Sequence, residues 1–189
     1  LKSLIAQIES QMGQLSESEL QAKLKQLDTL KNNLKTISGN NNKNDLTVSD
    51  KITVSNVEYQ VLDPAKKTVA AVRLTNKKAT KITIQNTVTI KNVSCNVVQI
   101  NANVFKGATK LKTVKLGKYV TNIGKAAFAN CKKLKTVTFQ ETAVTIGKGA
   151  FKKAKSGITV KGTKKLKGKK LTAFKKKLTK AGLKNPKLR

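Results

Sequence analysis

The chain has 189 residues, enough for one or two domains, and it contains no histidine and only two cysteines. The missing imidazole excludes Ser–His triads and histidine zinc sites, and two cysteines do not form a cysteine-rich metal cluster. We therefore predict that the protein is not an enzyme and that it binds no metal or cofactor. The formal net charge of +31 points instead to anionic partners.

The charge is concentrated in the second part of the chain. Residues 64–189 carry 31 lysines and two arginines against a single acid, Glu141, whereas residues 1–63 are close to neutral. Lysine is a point charge and lacks the guanidinium fork that reads guanine, so we expect no sequence-specific binding of nucleic acid. Two interpretations of the lysines stay open: generic attraction to polyanions, or a surface that only keeps the protein soluble.

Residues 1–37 have the apolar spacing of amphipathic helices. The pattern is interrupted at Gly13, and Ser16 with Glu19 then matches a capping box, which marks a new helix start. The segment is either a helical hairpin or one long helix with a stutter that self-associates as a coiled-coil stalk. Residues 38–46 form a polar, asparagine-rich linker, so we expect domains at 1–37 and 47–189.

Residues 47–74 alternate like strands and predict hairpins that cover the first edge of the next region. A degenerate repeat follows at Asn76. Nine additional residues then separate it from the regular repeats. In this insertion apolar and polar residues alternate on both sides of a turn signal at Lys91 and Asn92. We interpret the insertion as a further hairpin on the first repeat.

A fixed period, equal to the spacing of Phe105, Phe128 and Phe151, organises the region from Ile100 to Val160. Such a period predicts a stacked-repeat solenoid, in which each repeat buries its apolar face only against its neighbours. We assign the repeated large residues to the core and not to a ligand site. The predicted core residues are Ile100, Phe105, Leu111, Val114, Ile123, Phe128, Cys131, Leu134, Val137, Ile146 and Phe151.

The chain ends with a predicted strand at 158–160 and a lysine-rich helix from Leu171 to Ala181. Thr172 is its expected N-cap and Gly182 its C′ residue, and the helix would seal the end of the stack. Its lysines form either a solvated face or a contact patch for polyanions. The candidate patch is Lys175, Lys176, Lys177 and Lys180.

The two cysteines have different surroundings in the repeat frame. Cys131 occupies the repeat position of Ala108 and Ala154 and is interpreted as a small buried residue. Cys95 lies outside the regular frame, and a disulfide between the two stays open as a minor alternative.

The motif Ile123-Gly124-Lys125-Ala126-Ala127-Phe128-Ala129-Asn130-Cys131-Lys132-Lys133-Leu134 resembles the BspA-type leucine-rich repeats of bacterial surface and secreted proteins. It recurs from Ile146 and, with Asn101 in place of glycine, from Ile100. The resemblance covers about residues 50–189, and the flanking elements look like C-terminal modules from Gram-positive gut bacteria. It implies short parallel strands at 112–116 and 135–139 in one sheet, adhesion to host or microbial surface proteins, and no catalytic residues.

These observations predict an α+β chain: a short leucine-rich-repeat solenoid with a β-hairpin N-cap and a helical C-cap, preceded by the helical segment. The predicted function is a non-enzymatic adhesion or binding module, cell-surface or secreted, with its signal peptide removed. The alternative is retention at the envelope on anionic wall polymer or polysaccharide. No run of 18 apolar residues is present, so we expect no membrane span.

Overall fold

The computed structural model describes residues 16–38 and 45–189. The chain divides into two compact units, Leu1–Asp45 and Leu46–Arg189. The first predicted helix, before Ser16, and most of the predicted linker lie outside the described residues. Among the described residues, no helix is both long and apolar enough to cross a bilayer.

Helix α1 spans Glu17–Ser38 in the first unit. It begins where the sequence predicts a helix start. The Ser16 amide donates to the Glu19 carboxylate at 3.1 Å, the Ser16 hydroxyl donates to the same carboxylate, and the Leu20 amide donates to the Ser16 carbonyl at 2.8 Å. Hydrogen bonds from Ser16 lower the pKa of Glu19, and a negative charge in the first turn is favourable at a helix N-terminus.

The second unit contains twelve strands and one helix, α2, at Gly168–Lys180. The strands are β1 Lys51–Val54, β2 Val57–Asp63, β3 Thr68–Leu74, β4 Lys81–Thr83, β5 Thr87–Ile90, β6 Val93–Ile100, β7 Thr113–Lys115, β8 Asn122–Ile123, β9 Thr136–Thr138, β10 Thr145–Ile146, β11 Thr159–Lys161 and β12 Lys187–Leu188. One sheet has the order β1-β2-β3-β6-β8-β10, with β5 also paired to β6, and the other has the order β12-β11-β9-β7-β4.

The predicted hairpin around Lys91 and Asn92 is present as the antiparallel pair β5–β6. Both turn residues have positive φ, 48° and 63°, as does the Ser55–Asn56 turn between β1 and β2. Positive φ at both central residues suits two-residue hairpins, because the turn then follows the right-handed twist of the strands. The inserted hairpin delays the first repeat, so the chain takes longer to pass from Ile82 to its partner Val114 than from Val114 to Val137.

The repeats form two parallel ladders, one on each side of the stack. Val114, Val137 and Val160 align in one ladder, and Ile100, Ile123 and Ile146 align in the other. The implied strands at 112–116 and 135–139 are β7 and β9, which do pair in one sheet, but the second ladder was not predicted. Each repeat, which we call a rung, contributes one short strand to each of the two sheets. One strand precedes the turn segment of the rung, and the other follows it.

A column of stacked phenylalanine rings fills the space between the ladders. The rings of Phe105 and Phe128 are 5.0 Å apart and nearly parallel, and those of Phe128 and Phe151 are 5.3 Å apart. Of the eleven predicted core residues, ten are buried. Ile146 is only partly buried because β10 is the outer strand of its sheet, without a further rung beside it.

The glycine of the Ile-Gly motif is required by close approach of the rungs. A Cβ atom on Gly124 would lie 2.5 Å from the amide nitrogen of Ala102, and one on Gly147 would lie 2.6 Å from that of Lys125. These distances are shorter than any real Cβ contact, so a side chain at either position would push two rungs apart.

Helix α2 begins earlier than predicted, at Gly168, and its N-cap Lys167 makes no side-chain capping bond. The prediction of Thr172 as N-cap was wrong. Thr172 lies inside the helix, and its hydroxyl donates to the Gly168 carbonyl at 3.3 Å. Phe174 and Leu178 are buried, and the Phe174 ring meets Phe139 edge-on with centroids 5.4 Å apart.

The C-terminal end of α2 follows the prediction. Gly182 has a φ of +92°, its amide donates to the Thr179 carbonyl, and the Leu183 amide donates to the Leu178 carbonyl. This is a Schellman motif, in which a left-handed residue, usually glycine, satisfies the last carbonyls of a helix.

The segment after α2 takes the place of one more rung. The Phe151 amide donates to the Ala181 carbonyl and the Gly157 amide to the Lys184 carbonyl, each at 2.9 Å. Strand β12 then pairs with β11 in parallel. The backbone of the last repeat therefore finds partners in a segment that has no repeat motif.

Both cysteines are free and buried, so the alternative of a disulfide is wrong. The Cys131 thiol donates to the Phe105 carbonyl at 3.1 Å, and burial raises its pKa to about 11.

Candidate functional site

The four side-chain carboxylates of the Leu46–Arg189 unit are all engaged locally. Asp50 accepts from Lys91 at 2.9 Å and Asp63 from Lys66 at 3.0 Å, Glu58 pairs with Arg73 and Lys51, and Glu141 accepts from the amides of Ala143 and Thr142. These hydrogen bonds lower the pKa of each carboxylate. Since these acids neutralise only their immediate neighbours, most of the positive charge of the unit is left for an external partner.

Four surface grooves of this unit are lined by basic side chains and by no Asp or Glu side chain. A groove of about 370 Å³, here the turn groove, crosses the turn segments of successive rungs. It is lined by Lys106, Lys125, Ala126, Ala129, Asn130, Lys148, Gly149, Lys152 and Lys153. Five lysines thus surround a floor of small residues.

A second groove, of about 750 Å³, adjoins the turn groove and shares Lys106 with it. Its other basic residues are Arg73, Lys77 and Lys78. We call the two grooves together the turn track. The track carries eight basic side chains from the first, degenerate repeat to the last regular one, and one of them, Arg73, already pairs with Glu58.

The repeat register places the lysines of the turn groove in rows. Lys125 and Lys148 occupy the same repeat position on adjacent rungs, which are joined by a hydrogen bond from the Ala126 amide to the Lys148 carbonyl. Lys106 and Lys152 share another position, with Ala129 on the rung between them. The stacked phenylalanine rings beneath are 5.0–5.3 Å apart, so adjacent ammonium groups start from backbones about that far apart and repel each other.

The turn groove also depends on left-handed backbone conformations. Ala126 has a φ of 54° and its counterpart Gly149 a φ of 65°, while Asn130 and Lys153 have 61° and 57°. The floor of the groove lies close to the backbone at these turns, because residues 126 and 149 have small side chains or none.

The four predicted patch lysines are all exposed on α2. Because a helix turns by about 100° per residue, Lys176, Lys177 and Lys180 lie on one side of the helix, and Lys175 lies on the flank beside Lys176. Their contact with a polyanion stays a prediction. The Lys177 ammonium donates to the Val144 carbonyl at 2.7 Å and borders a separate groove of about 400 Å³ with Lys170.

Sequence reasoning missed the turn track, although part of its signal was present. Lys125 and Lys148 are one repeat apart and so lie in register, as do Lys106 and Lys152 at twice that interval. The lysines of residues 175–180 are denser along the sequence, whereas those of the turn track are far apart in sequence and meet only through the stacking of the repeats.

Another basic groove, of about 520 Å³, lies beside Phe139 at the C-terminal end of the stack. Its basic residues are Lys161, Lys164, Lys165 and Arg189. In the described ranges, 16–38 and 45–189, no three Asp, Glu or Cys side chains gather into a metal site.

Stacked rungs of equal length with a recurring Ile-Gly-x-x-Ala-Phe turn define a leucine-rich-repeat solenoid. The family model of the BspA type leucine rich repeat region matches residues 73–185 in six copies, and the chain belongs to this family.

Three solved structures are similar to parts of the chain. A leucine-rich cell surface protein from Faecalibacterium prausnitzii A2-165 is 28% identical with a TM-score of 0.49, over 59% of this chain and 32% of that one. A leucine-rich repeat protein from Bacteroides ovatus is 22% identical over 58% of this chain and 36% of that one, with a TM-score of 0.38. The T. pallidum leucine-rich repeat protein is 16% identical over 59% and 71%, also with a TM-score of 0.38. The match therefore spans about a third of the length of the first of these structures, and no curated protein matches the chain significantly.

Proposed function

We propose that the chain is a non-enzymatic binding module of the bacterial surface or of secreted proteins, and that it holds an anionic polymer through its lysine-rich solenoid. Its family and the cell-surface protein from F. prausnitzii support the location. The observation that carries the ligand class is electrostatic. The carboxylates of the second unit are engaged locally, while its grooves are lined by basic side chains.

Binding by such a surface is favourable because it relieves repulsion between lysines and releases the counterions of the polymer. The same origin makes it sensitive to salt, which screens exposed charges over about 8–10 Å at physiological ionic strength. Two polymers with the same backbone, dextran sulfate and neutral dextran, test the proposal directly. We expect the protein to bind only dextran sulfate, with an affinity that falls about tenfold or more between 50 and 200 mM NaCl.

Failure to bind dextran sulfate at 50 mM NaCl would refute the proposal. Equal binding of the two dextrans would refute it as well, because a charged surface cannot account for a neutral ligand.

A second candidate is adhesion to a protein through the outer face of the β4-β7-β9-β11-β12 sheet. The valines of these strands point inward, whereas Thr113, Thr136 and Thr159 form a partly exposed row on the other side. The three threonines are uncharged, although the row continues to Lys81 and Lys187 at its two ends. A ligand held by the threonines would therefore lose less affinity in salt than one held in the lysine-lined grooves. Adhesion to immobilised host or microbial surface proteins that persists at 500 mM NaCl, and is lost in Thr136→Arg, would favour this function.

A further inference from the structure

We propose that the turn track is the binding site for a slender linear phosphate polymer, which lies across the rungs and contacts one or more lysines on each. The inference rests on the proposed function, because it names the site and the chemistry of the anionic ligand. It differs from the sequence-based expectation, which placed the contact on α2.

The first argument is the hydrogen-bonding chemistry of the turn groove. Each lysine ammonium offers three donors and no acceptor, and Asn130 is the one lining residue whose side chain can accept. A fitting ligand must therefore be rich in acceptors and poor in donors. The oxygens of a phosphodiester or phosphoanhydride chain meet this condition, whereas the hydroxyl groups of a polysaccharide would find few side-chain acceptors in this groove.

The second argument is shape. The floor of the turn groove is made of Ala126, Ala129 and Gly149, and no aromatic residue lines either groove of the track. The site therefore gives bases no surface for stacking, which is the usual support for single-stranded nucleic acids. A chain without bulky side groups can lie on small floor residues between lysines.

The third argument is register. The rungs are about 5 Å apart, as the ring spacings of 5.0 and 5.3 Å show, and the track repeats its lysines at that interval or at twice that interval. A linear polymer with closely spaced charges can meet one ammonium group after another along the stack. On α2, by contrast, Lys175 points away from Lys177 and Lys180 around the helix, and Lys177 already bonds a backbone carbonyl.

The exposed position Ala102 allows the site to be extended. It lines the second groove and precedes Lys125 and Lys148 by one and two repeats. Ala102→Lys would complete the row across the junction of the two grooves. Val48→Lys is the matched control, because Val48 is 58% exposed in the same unit and does not line the track.

The experiment measures dissociation constants of the full chain for inorganic polyphosphate and for poly(glycerol phosphate), with heparin for comparison, at several salt concentrations. Lys125→Ala/Lys148→Ala is compared with Lys175→Ala/Lys176→Ala, which removes the same charge from exposed positions on α2. Thermal unfolding of each variant checks that the fold is retained.

We expect the track pair to weaken binding of both phosphate polymers about tenfold or more at 50 mM NaCl. We also expect it to reduce the slope of log K against log salt by about 1–2, since each neutralised phosphate contributes about 0.7–0.9. The α2 pair should change affinity less than about threefold. Ala102→Lys should strengthen binding more than Val48→Lys.

Three results would overturn the inference. The first is an equal or larger loss in the α2 pair, the second is no gain from Ala102→Lys over Val48→Lys, and the third is tighter binding of heparin than of both phosphate polymers. All three leave the proposed function standing as long as the wild type binds dextran sulfate. A preference for polyphosphate over poly(glycerol phosphate) would support a free phosphate chain as the source of the ligand, and the reverse preference would support a wall phosphodiester.

Discussion

The regular rungs and the segment after α2 satisfy the same backbone groups with different sequences. In the rungs, the Phe105 amide bonds Ala127 and the Phe128 amide bonds Ala150, and each partner precedes a phenylalanine of the column. The Phe151 amide instead bonds Ala181, which ends a helix and has no repeat motif around it. The backbone pattern of a rung thus does not depend on its motif, whereas the column of side chains does.

The largest expected effect comes from removing the middle ring of the column. Phe128→Ala should destabilise the second unit by about 3–5 kcal/mol, because it leaves a cavity between two stacked neighbours in a fully buried site. Phe174→Ala should have a smaller effect, since Phe174 meets a single aromatic partner. Thermal or denaturant unfolding of both variants measures the difference, and a shift of under a few degrees for Phe128→Ala would contradict the packing role of the column.

Gly124 and Gly107 are required for different reasons, and substitutions can separate them. Gly124→Ala should cost about 1–3 kcal/mol because its Cβ would collide with the backbone of the neighbouring rung. Gly107→Ala should cost about 1–2 kcal/mol because of its left-handed conformation, with a φ of +74°, although its Cβ would meet no atom within 4 Å. Asparagine tolerates that conformation, so Gly107→Asn should recover stability relative to Gly107→Ala, whereas Gly124→Asn should not. Equal behaviour of asparagine at both sites would contradict this assignment.

The sequence predicts the features that depend on side-chain packing and does not predict those that depend on backbone hydrogen bonds. Phe105, Phe128 and Phe151 were assigned correctly to one column because packing demands a large residue at each rung. Thr172 was assigned wrongly because α2 starts without a side-chain cap. Strand β12 and the Ala181 carbonyl carry no sequence signal, since every residue has a backbone carbonyl that can accept and every residue but proline has an amide that can donate. The turn track was missed because its lysines recur at only some of the rungs.

A smaller effect is expected where Cys131 replaces the alanine of the other rungs. Burial raises the pKa of the Cys131 thiol to about 11, whereas the pKa of an unfolded cysteine is about 8.5. Each pKa unit of difference between the two states corresponds to about 1.4 kcal/mol of stability. The unfolded state therefore loses its proton first, and the contribution of Cys131 to stability is full at neutral pH and falls as pH rises from about 8.5 towards 11. Cys131→Ala should cost about 1 kcal/mol at pH 7.5, and the gap to the wild type should narrow by about 1 kcal/mol at pH 9.5. Parallel unfolding curves at the two pH values would contradict this.

The smallest expected effect is a gain. Ala126 has a φ of 54° where Gly149 occupies the next rung. A left-handed conformation costs a residue with a Cβ about 1–2 kcal/mol, and part of this is offset by the greater freedom of glycine in the unfolded chain. Ala126→Gly should therefore raise stability by about 0.5 kcal/mol. Ala127→Gly, at a buried neighbour without positive φ, should lower it. Chemical denaturation of the two variants provides the measurement.

Because each rung bonds only to its nearest neighbours, the solenoid can be lengthened by one complete repeat at a time. Every regular rung offers the next one the same amides and carbonyls, and the register of one repeat recurs without drift from β6 to β8 to β10. A tandem duplication of residues 124–146 would insert one rung with its own phenylalanine and its own member of the Lys125–Lys148 row. The length of the basic surface, and with it the number of charges that a single ligand can engage, would then increase by gene duplication alone, with no new interface to evolve.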